Sequence, residues 1–370
     1  MSLIHTLASP SFEETDIAAV VRVLRSGALV QGAEVRLFES RVEAFIGARH
    51  AIAVANGTIA IQLALSALDI GPGDEVIVPA FSFIATANAV VLCGARPVFV
   101  DVDARTFNID PTRVCHAVSP RTKAILPVHE FGLCCDIDAL VAIARRHNLA
   151  VVEDAACALG SRSVGRHAGT MGDIGTFSLH PRKIITCGEG GLITTASDTL
   201  AERLRALRNH GAAPAAQSPE FLLSGYNARL TDFQAALASG QMTRLENNLS
   251  HRRNLAELYG NLIRHPSLEL PIVPKGNQPN WQTYHLLLAE HLDQVEVIAY
   301  LRAQGIGTNV GAQCIPAQHC YLASHEENCA ARFPNAWRAW KKGLAIPLHE
   351  RISTADAKFI AATLNKLPTS

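Results

Sequence analysis

Residues 124–153, AILPVHEFGLCCDIDALVAIARRHNLAVVE, contain the pattern that decides the fold. Two short apolar runs, at residues 124–128 and 150–153, flank an amphipathic stretch at residues 137–147. Short apolar runs between turn residues are typical of buried strands, and the middle stretch has the apolar spacing of a helix. A strand, a helix and a second strand in this order predict a βαβ unit with two parallel strands.

The same alternation extends on both sides of this unit. The predicted strands are residues 51–54, 75–79, 97–100, 174–179 and 191–195. The predicted helices are residues 13–26, 59–68, 84–93 and 111–117. Strands that alternate with helices indicate an α/β fold, in which helices cover both faces of a mostly parallel central sheet.

The pattern changes after residues 211–220, GAAPAAQSPE, which predict a loop rich in alanine, proline and serine. A long helix is then expected from residue 231 to about residue 263, with Thr231 and Gln234 as a capping box. Residues 265–276 and 283–292 favour strands, and residues 295–304 and 354–367 favour helices. We therefore expect a large domain at residues 1–245 and a smaller α+β domain at residues 246–370.

Composition excludes several classes of partner. The 33 basic residues balance 33 acidic ones, and without a block of like charge we expect no nucleic-acid partner. The nine cysteines lack the paired spacing of a zinc site, so we expect no metal and a reducing, cytoplasmic location. Residues 76–95 are uncharged, but polar residues and turn signals divide them into a strand, a turn and a helix, so we expect no membrane span. The first residues lack the features of a secretory signal.

Ligands of an open parallel sheet bind beyond the carboxyl ends of the strands, so the residues there are candidates for a site. After residues 51–54, Gly57 and Thr58 lead into a helix whose first amide groups suit a phosphate. A plain N-cap turn explains the same residues. After residues 150–153, Asp154 can hold a protonated ring nitrogen or can cap the next helix.

Two further stretches lie at strand ends. Phe83, in PAFSFIATAN, can stack on a flat ligand or belong to the core. Residues 177–191, FSLHPRKIITCGEGG, place Ser178 and Lys183 between two strands, ahead of a glycine-rich turn. Lys183 is either a solvated loop residue or an imine-forming nucleophile, which must be partly desolvated. A phosphate cradle, a carboxylate, a stacking ring and such a lysine are together what pyridoxal phosphate requires.

Further motifs run along nearly the whole chain in a fixed order. They include SGALVQGAEVRLFE, ANGTIAIQLAL, GPGDEVIVPAFSFIATANAV, PVFVDVD, PVHEFG, VVEDAACALGS, GYNARLTDFQAAL and GIGTNVGAQCIP. With these motifs the chain resembles the DegT/DnrJ/EryC1/StrS family of sugar aminotransferases, which are fold-type I pyridoxal-phosphate enzymes. The resemblance implies pyridoxal 5'-phosphate as the cofactor and amino transfer as the reaction.

The resemblance also implies a role for individual residues. Lys183 matches the lysine that binds the cofactor covalently and later moves protons. Asp154 matches the partner of the pyridine nitrogen, and Phe83 matches the ring that stacks on the cofactor. The phosphate-binding positions of the family correspond to Gly57, Thr58 and Ser178. Asn227, in GYNARL, matches an asparagine that reaches the phosphate of the neighbouring subunit, which implies a homodimer with shared active sites.

Three positions depart from the family pattern. Cys157 stands near the phenolic oxygen of the cofactor, where the family often has glutamine or histidine, and a thiol is a weaker hydrogen-bond partner. Glu130 replaces a residue that is usually uncharged, and it is either solvated or a substrate contact. Pro316 replaces a substrate-facing histidine, so Gln313 or His319 is a candidate for sugar recognition, although His319 can equally be a surface residue.

By family resemblance, the expected reaction moves an amino group from L-glutamate to a keto-sugar nucleotide. The favoured acceptor is a nucleoside diphosphate 4-keto-6-deoxy hexose, and a 3-keto-sugar nucleotide is the alternative. Family members that dehydrate a keto-sugar have histidine in place of the lysine, so Lys183 argues for amino transfer. A non-catalytic regulator of the same fold is the other alternative, and it would not need the complete set of cofactor-binding residues.

Overall fold

The computed structural model describes residues 4–213, 220–322 and 328–369. Within these ranges the strands are short and most of them are buried. In chain order they are β1 (His50–Val54), β2 (Glu75–Pro79), β3 (Phe81–Ser82), β4 (Arg96–Val100), β5 (Thr122–Ile125), β6 (Ala150–Asp154), β7 (Arg162–Ser163), β8 (Arg166–His167), β9 (Ile174–Ser178), β10 (Gly191–Thr195), β11 (Leu268–Glu269), β12 (Asn277–Gln278), β13 (Tyr284–Leu288), β14 (Gln313–Cys314) and β15 (Gly343–Ile346).

The helices alternate with these strands in the first part of the chain. They are α1 (Glu14–Ser26), α2 (Ala33–Ile46), α3 (Gly57–Ala67), α4 (Ala85–Leu92), α5 (Pro111–Ala117), α6 (Ile137–His147), α7 (Asp198–Arg208), α8 (Asp232–Met242), α9 (Leu245–Leu262), α10 (Gln294–Ala303), α11 (His319–Leu322), α12 (Cys329–Arg332), α13 (Pro334–Lys342) and α14 (Thr354–Leu364). In the described part of the chain, no helix is long and apolar enough to cross a bilayer.

The main sheet has seven strands in the order β1-β10-β9-β6-β5-β2-β4. The pairings from β9 through β6, β5 and β2 to β4 are parallel, whereas β10 runs antiparallel to both β9 and β1. The predicted α/β fold with a mostly parallel sheet is therefore confirmed. Strand β10 can run antiparallel to β9 because residues 179–190, which connect the two strands, contain no crossover helix.

Alternating side chains of the strands enter cores on opposite faces of this sheet. Ile52 and Val76 face the core that contains α3, α4 and α7. Ala51 faces a core with α2 and α8, and Ile77 faces one with α5 and α6. Both faces of the sheet are thus covered, as near-continuous apolar strands require.

The long helix predicted at residues 231–263 is wrong, because two helices occupy the region. Helix α8 ends at Met242, and α9 begins at Leu245. Between them Arg244 has φ −113° and ψ 7°, outside the helical region. Its guanidinium pairs with the buried carboxylate of Asp16 in α1, which fixes the chain at the break.

The predicted capping box at Thr231 and Gln234 is also wrong. Thr231 is the N-cap residue of α8, but its side chain makes no hydrogen bond to the first turn. Its hydroxyl donates instead to Gln234 Oε1 at 2.6 Å, and Gln234 Nε2 donates to the carbonyl of Glu189 at 2.8 Å. The pair therefore joins α8 to the turn between β9 and β10.

Some element ends differ from the prediction. Strand β5 ends at Ile125 rather than at residue 128, since Pro127 has no amide hydrogen for a ladder. The last helix, α14, ends at Leu364 rather than at residue 367. Of the predicted loop at residues 211–220, residues 214–219 lie outside the described part of the chain.

A second core lies toward the C-terminus. Strands β11, β13 and β15 form a three-stranded antiparallel sheet. Residues of α9 and α14 pack with it in an apolar cluster that includes Tyr259, Tyr284 and Ile360. This arrangement is consistent with a smaller α+β domain, and the boundary at residues 245 and 246 stays a prediction.

Candidate active site

A cleft of about 640 Å³ lies beyond the carboxyl ends of the parallel strands. The residues that line it follow β1, β3, β5, β6 and β9 and include seven of the eight predicted cofactor-binding positions. These seven are Gly57, Thr58, Phe83, Asp154, Cys157, Ser178 and Lys183, and Glu130 also lines the cleft. The sheet therefore brings together residues that lie more than 120 positions apart in the sequence.

The end of β1 and the start of α3 form a close-packed turn. Asn56 caps α3, and its side chain accepts a hydrogen bond from the amide of Ile59 at 2.9 Å. A Cβ on Gly57 would lie 2.9 Å from Ser178 Cβ, and one on Gly191 would lie 2.4 Å from the carbonyl oxygen of Asn56. Gly57 is thus required for Ser178 to approach the start of α3, and Gly191 is required for β10 to pack against the Asn56 backbone. Amides at a helix start and a hydroxyl form a site that suits a phosphate.

Asp154 ends β6 with a buried carboxylate. Its Oδ2 accepts a hydrogen bond from Thr86 Oγ1 at 2.8 Å, and its Oδ1 accepts one from the amide of Ala156 at 3.1 Å. Burial raises the pKa of Asp154, and the hydrogen bonds and the Lys183 charge offset only part of this effect. No helix follows directly, so the helix-cap interpretation is wrong. A buried carboxylate of this kind suits a cationic partner such as a protonated ring nitrogen.

Glu153 precedes Asp154 in β6, and its side chain forms hydrogen bonds on the opposite face of the strand. Its Oε2 is 2.7 Å from His129 Nε2, and its two oxygens accept backbone amide hydrogens at 2.6–2.8 Å. These amides belong to Gly169, Met171 and Gly172. Burial raises the pKa of Glu153, but the hydrogen bond and charge of His129 and the amides outweigh it and lower the pKa.

We expect Glu153→Ala to lower the free energy of unfolding by about 3–5 kcal/mol, because it leaves His129 and three amides without their buried acceptor. Urea unfolding of the cofactor-free chain measures the change. Glu202→Ala, at an exposed position of α7, is the matched control and should cost less than about 0.5 kcal/mol. A loss below 1 kcal/mol for Glu153→Ala would show that the network does not support the fold.

Lys183 lies in the turn between β9 and β10, half-buried at the edge of the cleft. Its Nζ donates a hydrogen bond to Cys157 Sγ at 3.1 Å, and its backbone amide donates to the carbonyl of His180 at 2.8 Å. Burial raises the pKa of the Cys157 thiol, and the positive charge of Lys183 offsets part of this effect. The interpretation as a solvated loop lysine is therefore wrong.

Helix α8 fixes this turn. The side-chain amide of Gln241 accepts from the Thr186 amide at 3.0 Å and donates to the Thr186 carbonyl at 2.7 Å. Gln241 and Thr186 are both buried. Gln241 was not predicted as a site residue, since a lone glutamine late in a helix gives no signal in the sequence.

Phe83 has 65% of its surface exposed, and it lines the cleft. The core interpretation of this residue is therefore wrong. Nearby Thr86, which was not predicted either, is buried and contacts both Asp154 and the Ser82 hydroxyl, which lies 3.2 Å away. Its position in the first turn of α4, after a strand end, is the only signal in the sequence. The exposed ring is free to cover a flat ligand in the cleft.

Three predicted residues lie away from the cleft lining. Asn227 is exposed, and the next residue, Ala228, accepts the amide hydrogen of Ala55 beside the α3 turn. Gln313 lies in β14, paired with Ser82, and His319 is exposed at the start of α11. The surface interpretation of His319 agrees with this position. Within the described ranges, no group of three histidine, cysteine, aspartate or glutamate residues could hold a metal ion.

The family model of the DegT/DnrJ/EryC1/StrS aminotransferases matches residues 10–365. The chain belongs to this family. Over 341 residues it is 40% identical to the GDP-perosamine synthase of Caulobacter vibrioides, with 89% of each protein covered. Over 348 residues it is 35% identical to the UDP-2-acetamido-2-deoxy-3-oxo-D-glucuronate aminotransferase of Pseudomonas aeruginosa, with 94% of each covered.

Solved structures have the same fold, among them a DegT DnrJ EryC1 StrS aminotransferase from Brucella abortus with a TM-score of 0.89 at 32% identity, where the match covers 95% of this chain and 94% of that one. S. venezuelae DesV superimposes with a TM-score of 0.88 at 35% identity, and the match covers 95% of this chain and 93% of that one. The chain is thus a pyridoxal-phosphate-dependent aminotransferase with the predicted fold. Its residues fit the cofactor. The close approach of Ser178 to Gly57 forms a cradle for the phosphate, and the buried carboxylate of Asp154 can accept a hydrogen bond from the protonated ring nitrogen.

Proposed function

We propose that this aminotransferase moves the amino group of L-glutamate to a keto-sugar nucleotide, and that the acceptor is a nucleoside diphosphate 4-keto-6-deoxy hexose. The observation that carries the proposal is the position of Lys183 in the cleft, in a chain whose relatives are named for nucleotide-sugar products and substrates. The retained lysine argues against the dehydratase and the non-catalytic alternatives. A 3-keto acceptor is the second candidate, because the name of the Pseudomonas relative specifies a 3-oxo sugar.

When bound, pyridoxal phosphate supplies an electrophilic carbon for amines and a ring that takes up electron density. In our proposal Lys183 Nζ would hold the cofactor covalently until the amine of the donor displaces it, and the freed lysine amine would then take a proton from the donor and return one to the acceptor. The Asp154 carboxylate would keep the ring nitrogen protonated, Gly57, Thr58 and Ser178 would bind the phosphate, and Phe83 would cover one face of the ring. Cys157, which accepts from Lys183 Nζ at 3.1 Å, keeps the amine within the cleft.

A panel of keto-sugar nucleotides tests the acceptor. The purified enzyme is incubated with glutamate and each of several 3-keto and 4-keto sugars on GDP, UDP or dTDP, and 2-oxoglutarate and the amino sugar are quantified. We expect the highest kcat/KM with a 4-keto-6-deoxy sugar. Preference for a 3-keto sugar would select the second candidate, and no product from any acceptor would contradict the proposal.

We further propose a cytoplasmic homodimer in which Asn227 binds the cofactor phosphate of the partner subunit. Asn227 is exposed beside the α3 turn but does not line the cleft of its own chain. Several large apolar side chains of the chain are exposed, including Val30 at 69% and Phe221 at 62%, as at an interface. All nine cysteines are free thiols, which is consistent with a reducing compartment.

Mixing two variants of low activity tests the shared site. We expect Lys183→Ala and Asn227→Ala to be weakly active alone, and subunit exchange between them to restore activity. A mixed dimer contains one site with an intact lysine from one chain and an intact asparagine from the other. If Asn227 acts within its own chain, the mixture will show no gain over Asn227→Ala. Light scattering of each sample checks that the chains are dimeric.

A further inference from the structure

Glu130 is a buried acid in the cleft without an evident role in the proposed reaction. It follows β5, it is 5% exposed, and it lines the cleft together with Asp154 and Lys183. The interpretation as a solvated side chain is therefore wrong. Among the described residues, none is a hydrogen-bond partner for its buried Oε2 atom. A buried polar atom without a partner is costly, so this oxygen is expected to meet a ligand.

The surroundings of Glu130 favour the uncharged acid. Burial, with the negative charge of Asp154, raises the pKa of Glu130 to about 8, and the charge of Lys183 opposes this effect. On its other side Glu130 lines a chamber of about 30 Å³ that is otherwise mostly apolar. The titratable and charged groups that line the two spaces with Glu130 are Asp154, Cys157, His180, Arg182, Lys183 and Glu189 in the cleft and Arg105 and His285 in the chamber. Near neutral pH the carboxyl group therefore carries a proton and is a hydrogen-bond donor.

The order of strands shows which edge of the cofactor Glu130 can reach. The phosphate cradle lies at the ends of β1 and β9, Asp154 lies at the end of β6, and Glu130 follows β5 on the far side of β6. In pyridoxal phosphate the phosphate arm and the phenolic oxygen lie on opposite edges of the ring. With the phosphate at the cradle and the ring nitrogen at Asp154, the phenolic edge is the one that faces Glu130.

We propose that the Glu130 carboxyl donates a hydrogen bond to the phenolic oxygen of pyridoxal phosphate. Cys157 lines the same part of the cleft, but a thiol is a weak donor and here accepts from Lys183. Glu130 therefore supplies the stronger donor at this edge. This role rests on the proposed function of Lys183 and Asp154 as the residues that fix the two ends of the ring.

Two variants of Glu130 test whether its hydrogen-bond donor is what binds the cofactor. Glu130→Gln keeps a neutral donor of similar shape, whereas Glu130→Met keeps the volume and removes the donor. Near pH 7 we expect Glu130→Gln to bind pyridoxal phosphate within about twofold of the parent chain, and Glu130→Met to bind it about tenfold or more weakly. The dissociation constant and the visible absorbance maximum of the bound cofactor are measured for each. Equal losses in both variants, or no change in either, would overturn the proposal.

The pH dependence provides a second readout. As pH rises through about 8, the parent chain loses the Glu130 proton and gains a negative charge beside the phenolic oxygen. Its cofactor affinity should therefore fall relative to that of Glu130→Gln, which has no such group. In the cofactor-free chain, the raised pKa contributes stability that is complete below about pH 4.5 and is lost through about pH 8. Parallel melting curves for the two chains between pH 6 and 9 would contradict this role.

Borohydride treatment distinguishes a failure of this proposal from a failure of the proposed function. The parent chain and both variants are incubated with pyridoxal phosphate, reduced and digested, and the adduct is located by mass spectrometry. Adducts at Lys183 in all three chains, with equal dissociation constants, would reject the role of Glu130 alone. Absence of an adduct in the parent chain would reject the proposed role of Lys183.

Discussion

Replacing Lys183 with alanine is expected to lower the rate of amino transfer at least about 10⁴-fold, because the variant loses both the nucleophile and the group that moves protons. The thiol of Cys157, which accepts a hydrogen bond from Lys183 Nζ, cannot replace the amine as a nucleophile toward the cofactor and as a proton carrier. Single-turnover assays with glutamate measure the loss. The variant should also show no cofactor adduct after borohydride reduction.

The matched control for this experiment is Lys358→Ala, which removes an exposed lysine from α14. It should retain parental activity and form the adduct. Unfolding curves should coincide for the two variants, since the Lys183 side chain contributes no buried ion pair in the described structure. Turnover within tenfold of the parent in Lys183→Ala would reject the proposed chemistry.

Asp154→Asn is expected to reduce kcat about 10²- to 10³-fold. The variant keeps the shape of the side chain and loses the charge that holds the ring nitrogen protonated, a contribution of about 3 kcal/mol or more. The cofactor should still bind to Lys183, because the cradle and the lysine are intact. Rates of the glutamate half-reaction, followed by cofactor absorbance, measure the effect.

Two comparisons support the interpretation of the Asp154 variant. Thr86→Val removes one hydrogen bond to the carboxylate and should cost about tenfold in kcat, since the charge remains. The cofactor-free stability of Asp154→Asn should not fall, because burial raises the pKa of Asp154 and so disfavours its charge. Parental kcat in Asp154→Asn would contradict the role proposed for the carboxylate.

Much of the large sheet could be predicted because local signals and burial agree. The predicted bounds of β2, β10, α5 and α6 match the structure. For α5, Asp110 is the N-cap and Pro111 is the first residue, and α6 is capped by Asp136, so the starts of both helices are encoded locally. Such signals depend on neighbouring residues alone, which a single sequence contains.

Other features depend on contacts between distant residues. Helix α2 was missed because buried Glu39 and half-buried Glu43 interrupt its apolar face. Both carboxylates accept amide hydrogens of β1, from Ala53 and Ala51. Such polar contacts disrupt the apolar period that sequence reasoning uses.

The candidate site was only partly predictable for the same reason. Lys183 and Asp154 lie at strand ends, where the topology of an α/β sheet places ligands, and the family motif strengthened both predictions. Burial of Glu130 depends on how the turn after β5 packs against the cleft, which its neighbours in the sequence do not determine. The hydrogen bonds between Gln241 and Thr186 likewise join segments that lie 55 residues apart in the sequence.

The turn that carries Lys183 connects β9 and β10, and both strands lie inside the sheet with a neighbour on each side. A hairpin at the edge of a sheet can unfold locally with the loss of one strand pairing. The β9–β10 hairpin can unfold only if its pairings with β1 and β6 also break. Unfolding of the turn that carries Lys183 is therefore coupled to disruption of the strand pairings inside the sheet. Slow amide hydrogen exchange across β9 and β10 would be the signature of such a cooperative unit, in which the catalytic turn is among the last parts of the molecule to open.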